Sequence, residues 1–93
     1  MKEQDLIDLG FERVDVTKEE SGSPDDWYYY IYYFTSGFGL ISSDNEEAEK
    51  DGWCVEFLDV DDIRFTNVRE LAKLITILEN AKIWTLQRKN LSN

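Results

Sequence analysis

From Trp27 to Phe34 the chain reads WYYYIYYF, and neither alternating set of side chains in it is polar. Successive side chains of a strand point to opposite faces, so a half-buried strand shows one apolar and one polar side. Here one set is Trp27, Tyr29, Ile31 and Tyr33, and the other is Tyr28, Tyr30, Tyr32 and Phe34. Aromatic and β-branched residues fit a pleated surface, so the stretch predicts the strongest strand of the chain. TSG at 35–37 then predicts a three-residue hairpin loop with Gly37 left-handed, and FGLISS returns as the partner. That loop sets Phe34 opposite Phe38, Tyr32 opposite Leu40 and Tyr30 opposite Ser42, whereas a two-residue loop would change these pairings.

Around this hairpin the hydrophobic spacing changes period. EQDLIDLGF predicts a short helix with Gly10 at the left-handed C′ position and Phe11 reaching back to Leu6. FERVDVT alternates, with Val14 and Val16 on one side and Arg13, Asp15 and Thr17 on the other, as in a half-buried strand. KEESGSPDD holds the sole proline among Ser, Gly and Asp and reads as a loop. SDNEEAEKDG reads as an acidic loop or a frayed helical turn. WCVEFLDV predicts a further strand, with Trp53, Val55 and Phe57 on one face and Cys54, Glu56 and Leu58 on the other. IRF extends it or forms a last edge strand. In TNVRELAKLITILENAKIWTLQRKN, Asn67 and Glu70 match a capping box with Asn as the cap. Leu71, Leu74, Ile75 and Leu78 form one helical stripe, and Lys82, Arg88 and Lys89 suit the dipole at its end.

These elements predict a single α+β domain over residues 1–93. An antiparallel sheet of about four strands carries a long C-terminal helix on one face, with a short N-terminal helix. A helix of about five turns, ~27 Å long, covers one sheet face but not both, leaving the first helix to shield part of the other. The expected uncovered set is Trp27, Tyr29, Ile31, Tyr33 and Ile41.

Charge sharpens this picture. Residues 1–62 hold eighteen acids against four bases, a balance of −14, while 63–93 carry +4. Residues 27–43 hold no charge, yet contain all five tyrosines and eight of the 13 aromatics. The acidic body repels phosphate backbones, which argues against direct nucleic-acid binding. No stretch of 18 apolar residues offers a membrane span, and MKEQDLIDLG lacks the apolar core of a signal peptide. One cysteine forms no internal disulfide and fits a reducing, cytoplasmic setting.

Catalytic chemistry finds little footing. Without histidine the commonest general base and transition-metal ligand are missing, and no cofactor motif is present. Cys54 lies between Trp53 and Val55 in a strand, not in an electropositive niche. The acidic stretch from Asp44 fails as a calcium loop, because Ala48 and Glu49 fall where an oxygen ligand and glycine are needed. Asp59, Asp61 and Asp62 have no supporting motif and read, like Asp44–Asp51, as solvated surface. No enzyme, cofactor or metal is therefore expected.

The favoured reading is a protein-interaction module that binds a partner or a second copy through the neutral aromatic hairpin, since Tyr and Trp are enriched in contact surfaces. The plainer account is that amphipathic tyrosines tolerate half exposure. An alternative is an acidic inhibitor that imitates nucleic acid, with Asp44, Glu46, Glu47 and Glu49 entering a basic groove. A third is a small-ligand binder stacking a planar ring on Tyr29 or Tyr33. The segment Ile83-Trp84-Thr85-Leu86-Gln87-Arg88 either closes the core edge or forms a helical dimer contact.

DLGFERVDVTKEESG, EKDGWCVEF and IRFTNVRELAKLITIL together span much of the chain. In these segments it resembles small proteins encoded by Bacteroidota and their phages. That family brings no established activity, so the resemblance implies an accessory or mobile-element setting and assigns no residue a role.

Overall fold

The computed structural model describes residues 1–91, with side chains described as far as Lys82. The chain runs α1 (Glu3–Asp8), β1 (Glu12–Val16), α2 (Lys18–Ser21), β2 (Trp27–Thr35), β3 (Phe38–Ser42), α3 (Asn45–Asp51), β4 (Val55–Phe57), β5 (Val60–Phe65) and α4 (Val68–Leu91). The strands form one antiparallel meander in the order β1-β2-β3-β4-β5. The fold is α+β as expected, with five strands in place of about four. The segment Ile83–Arg88, read as a core edge or dimer contact, lies outside the described side chains.

Three expectations change in detail. KEES, expected in a loop, forms a helical turn because the Thr17 hydroxyl accepts from the Glu20 N–H and Gly22 closes the turn left-handed. WCVEFLDV does not run as one strand. Phe57 pairs with Val60 across Leu58-Asp59, and Asp59 takes a positive φ of 63°, which the short polar Asp side chain tolerates. The acidic 45–51 stretch is a helix, since Asp44 and Glu47 close its first turn reciprocally.

Other local signals hold. Gly10 at φ 97° ends α1, with Phe11 N–H donating to the Leu6 carbonyl (3.0 Å) and Gly10 N–H to that of Ile7 (3.1 Å). Asn67 Oδ1 accepts from the Arg69 and Glu70 N–H groups at the start of α4. The hairpin pairs Tyr32 with Leu40 and Ile31 with Ile41. The turn differs from expectation: Thr35, not Phe34, pairs with Phe38, so only Ser36 and Gly37 (φ 79°) connect the strands, and a bulge at Phe34 keeps Tyr32 opposite Leu40 as expected.

The main buried cluster of the described residues lies on one side of the sheet. Leu6 from α1 and Leu71 and Ile75 from α4 join Phe11, Tyr30, Phe34, Leu40 and Val55 in one buried cluster. A row of rings crosses this face, from Phe11 through Tyr32, Phe34, Phe38 and Phe57 to Phe65, with successive centroids 5.1–5.9 Å apart. Phenol hydroxyls then tie sheet to helices. Tyr30 donates to Glu3 Oε2 at 2.6 Å, Tyr28 to Glu3 Oε1 at 3.4 Å and Tyr32 to Glu79 Oε1 at 3.1 Å. Lys82 adds a bond to the Phe34 carbonyl at 2.8 Å. Thus α1 covers the same face as α4, not the opposite one it was expected to shield in part.

β2 is longer than β3, which leaves two backbone donors to satisfy. Ser42 Oγ accepts from the Tyr30 N–H and Asn45 Oδ1 from that of Tyr28, both at 2.8 Å. Side chains thus replace the missing ladder where the chain turns away into α3.

Leu71 is fully buried; Leu71→Ala will cost about 2–5 kcal/mol in urea denaturation. Burial and the bond to Glu3 push the Tyr30 phenol up to about 12 from an ordinary 10. The folded state therefore favours the neutral phenol. Its contribution is complete below pH 10 and lost as pH rises through 12. Urea titrations will show wild type losing more stability than Tyr30→Phe across that window; equal losses would remove the effect.

Candidate functional site

The other sheet face gathers a second apolar set. Register places Val14 beside Tyr29 and Val16 beside Trp27 on β1 and β2, and Ile31 beside Ile41 on β2 and β3. Trp27, Tyr29, Ile31 and Ile41 are half-buried, and Tyr33 is 57% exposed. The Trp27 and Tyr29 rings lie 5.8 Å apart. Among the described residues, the buried side chains of α1 and α4 all belong to the opposite face, and α2 buries none. All five residues expected on the uncovered set therefore share one face, away from the described buried side chains of α1 and α4, while α3, which buries Ala48, reaches its Ile41 end with Glu47 and Asp51.

Tyr33 lies across Gly39. A Cβ at position 39 would collide with the Tyr32 carbonyl oxygen and press on the Tyr33 ring at 3.1 Å, so glycine lets that ring lie close to the sheet. Val14 and Val16 enlarge the face beyond the hairpin. Their alternation was visible in the sequence, but the side they take follows from the antiparallel register with β2. Phe11 supplied the missing signal: it precedes β1 with opposite parity to Val14, and it faces the core.

Two hollows flank the apolar centre. One of about 220 Å³ is lined by Ile41, Ser43, Cys54, Glu56 and Arg64, with Glu47 and Asp51 from α3. The second lies at the hairpin turn between Tyr33, Leu58 and Asp59. Arg64 donates to Glu56 Oε1 from Nη2 at 3.0 Å and from Nε at 3.2 Å, and this bond raises the guanidinium pKa. Cys54, just before β4, is tied to Ser43: its carbonyl accepts from Ser43 N–H at 2.9 Å and its N–H donates to Ser43 Oγ at 3.3 Å.

The acidic set expected on α3 divides in two. Asp44 accepts from the Glu47 N–H at 2.8 Å and Glu47 from the Asp44 N–H at 3.4 Å. Its bond to Asp44 also moves the Glu47 carboxyl above the usual carboxylate range. Glu46 and Glu49 are exposed. Among the described residues no group of three or more His, Cys, Asp or Glu side chains is placed to hold a metal ion, and no helix is long and apolar enough to cross a membrane.

No family model, characterised protein or solved structure matches this chain. Any functional reading therefore rests on the geometry of the molecule itself.

Neighbouring positions on β2 give a direct check of which face is packed. Phe34 is 5% exposed and belongs to the core, whereas Tyr33 is largely in solvent. Phe34→Ala will cost about 3–5 kcal/mol in urea denaturation and Tyr33→Ala less than about 1 kcal/mol.

Proposed function

We propose that this chain is a non-catalytic protein-interaction module whose contact surface is the uncovered sheet face of Trp27, Tyr29, Ile31, Tyr33 and Ile41, extended by Val14 and Val16. The observation that carries this reading is the placement of both α1 and α4 on the opposite face. An apolar area left open by the two helices that build the core is typical of a surface that another molecule completes. Its chemistry suits that role, because large aromatic side chains add contact area at little cost in conformational entropy.

The acidic-mimic reading has less behind it. Asp44 and Glu47 close the first turn of α3, so two of the four carboxylates that reading invokes have a structural role inside the chain.

The test is affinity capture from a host extract with three immobilised baits: wild type, Tyr29→Ala with Tyr33→Ala, and Ile77→Ala. Ile77 is 64% exposed on α4 and controls for loss of surface apolar area elsewhere. Proteins held by wild type in moderate salt will be lost from the double variant and kept by the Ile77→Ala control. An unchanged set on the double variant would overturn the reading.

A further inference from the structure

We infer that the uncovered sheet face receives a basic amphipathic helix from another protein. This rests on the contact-surface reading above and adds the class of partner. Three observations carry it: the geometry of a sheet face, the chemistry of the sheet edges, and the charges around the apolar centre.

A sheet face offers side chains but no backbone donors or acceptors, because those groups lie in the plane of the strands. An occupant must therefore satisfy its own backbone, and a helix does so internally. The opposite face already shows the solution, since α1 and α4 pack there through Leu6, Leu71 and Ile75. A helix on the open face would complete a three-layer α/β/α arrangement. An extended peptide would need a strand edge instead. Both edges are blunted by charge, with Glu12, Arg13 and Asp15 on β1 and Asp61, Asp62 and Arg64 on β5.

The rim selects the sign of the partner. Glu12 stands beside Ile31 and Glu56 beside Ile41 in the register. Glu47 and Asp51 line the hollow next to Ile41, and Asp59 lines the one next to Tyr33. Against these five carboxylates stands the Arg64 guanidinium, already bonded to Glu56. Lys82, at the β1 end, is held by the Phe34 carbonyl and Glu79. A neutral aromatic centre inside an acidic rim complements a helix with an apolar stripe flanked by Lys or Arg. Two copies joined by this face would instead set acidic rim against acidic rim, each on a chain of net charge −10.

The experiment uses the full chain and three designed peptides of about 18 residues, long enough to form a helix on contact. One has a Leu stripe and a Lys face, one a Leu stripe and a Glu face, and one has the first composition scrambled. Binding is followed by amide and methyl NMR shifts, with sedimentation velocity on the chain alone. The Leu/Lys helix will shift Trp27, Tyr29, Ile31, Tyr33 and Ile41, and will bind at least about tenfold more tightly than either control. Tyr29→Ala with Tyr33→Ala will weaken it at least tenfold. Glu12→Lys with Asp51→Lys, and salt raised from about 0.05 to about 0.5 M, will each weaken it several-fold.

Equal binding of the Leu/Glu or scrambled peptide, or shifts confined to other surfaces, would overturn the inference. So would a dimer that the double tyrosine variant disrupts, although that result would leave the contact-surface reading standing. Failure of all three peptides to shift this face would overturn the basic-helix partner, while the capture experiment judges the contact surface separately.

Discussion

The structure depends on a mismatch: β2 carries two apolar faces, and α1 and α4 both pack on one of them. Leu6, Leu71 and Ile75 join the Tyr30, Phe34 and Leu40 side of the sheet in one cluster. Phenol–carboxylate bonds from Tyr28 and Tyr30 to Glu3 and from Tyr32 to Glu79 fix the helices there. Hydrogen bonds to a charged acceptor are stronger than neutral ones, so the tyrosines on this side orient as well as pack. The five tyrosines thus divide by parity. Three join sheet to helix, and Tyr29 and Tyr33 face outward with Trp27 and Ile31.

The same strand explains the surroundings of the open face. β2 outruns β3, so Ser42 and Asn45 lend side-chain acceptors to Tyr30 and Tyr28. That substitution draws α3 against the end of the sheet, and Asp44 and Glu47 close its first turn. The rim carboxylates and the apolar centre are therefore linked through one backbone requirement. Acidic residues that look like free surface charge in the sequence serve in part to start a helix.

Much of this was legible from spacing. The parity of WYYYIYYF, the left-handed Gly10 with Phe11 folding back on Leu6, and the Asn67 cap all follow from local rules. What escaped depended on longer-range geometry. The side taken by α1 follows from Phe11, whose parity on entering β1 opposes Val14 and Val16; the contact with Leu6 then carries α1 to the core face. The break between β4 and β5 was hidden because Asp59, rather than glycine, takes the positive φ. The turn at 18–21 was hidden by loop-forming neighbours, although Thr17 followed by Glu20 is an N-terminal helix signal. The outward site residues were readable as a set, but their extension by Val14 and Val16 required the register of β1 on β2.

The central claim, that the two faces of this sheet differ in cover, is tested most directly by solvent paramagnetic relaxation on methyl-labelled chain. A soluble, uncharged paramagnetic agent will relax the methyl protons of Ile31 and Ile41 well above those of Leu40 and Leu71, which are fully buried. Protection of Ile31 and Ile41 equal to that of Leu40 in the isolated chain would contradict the account.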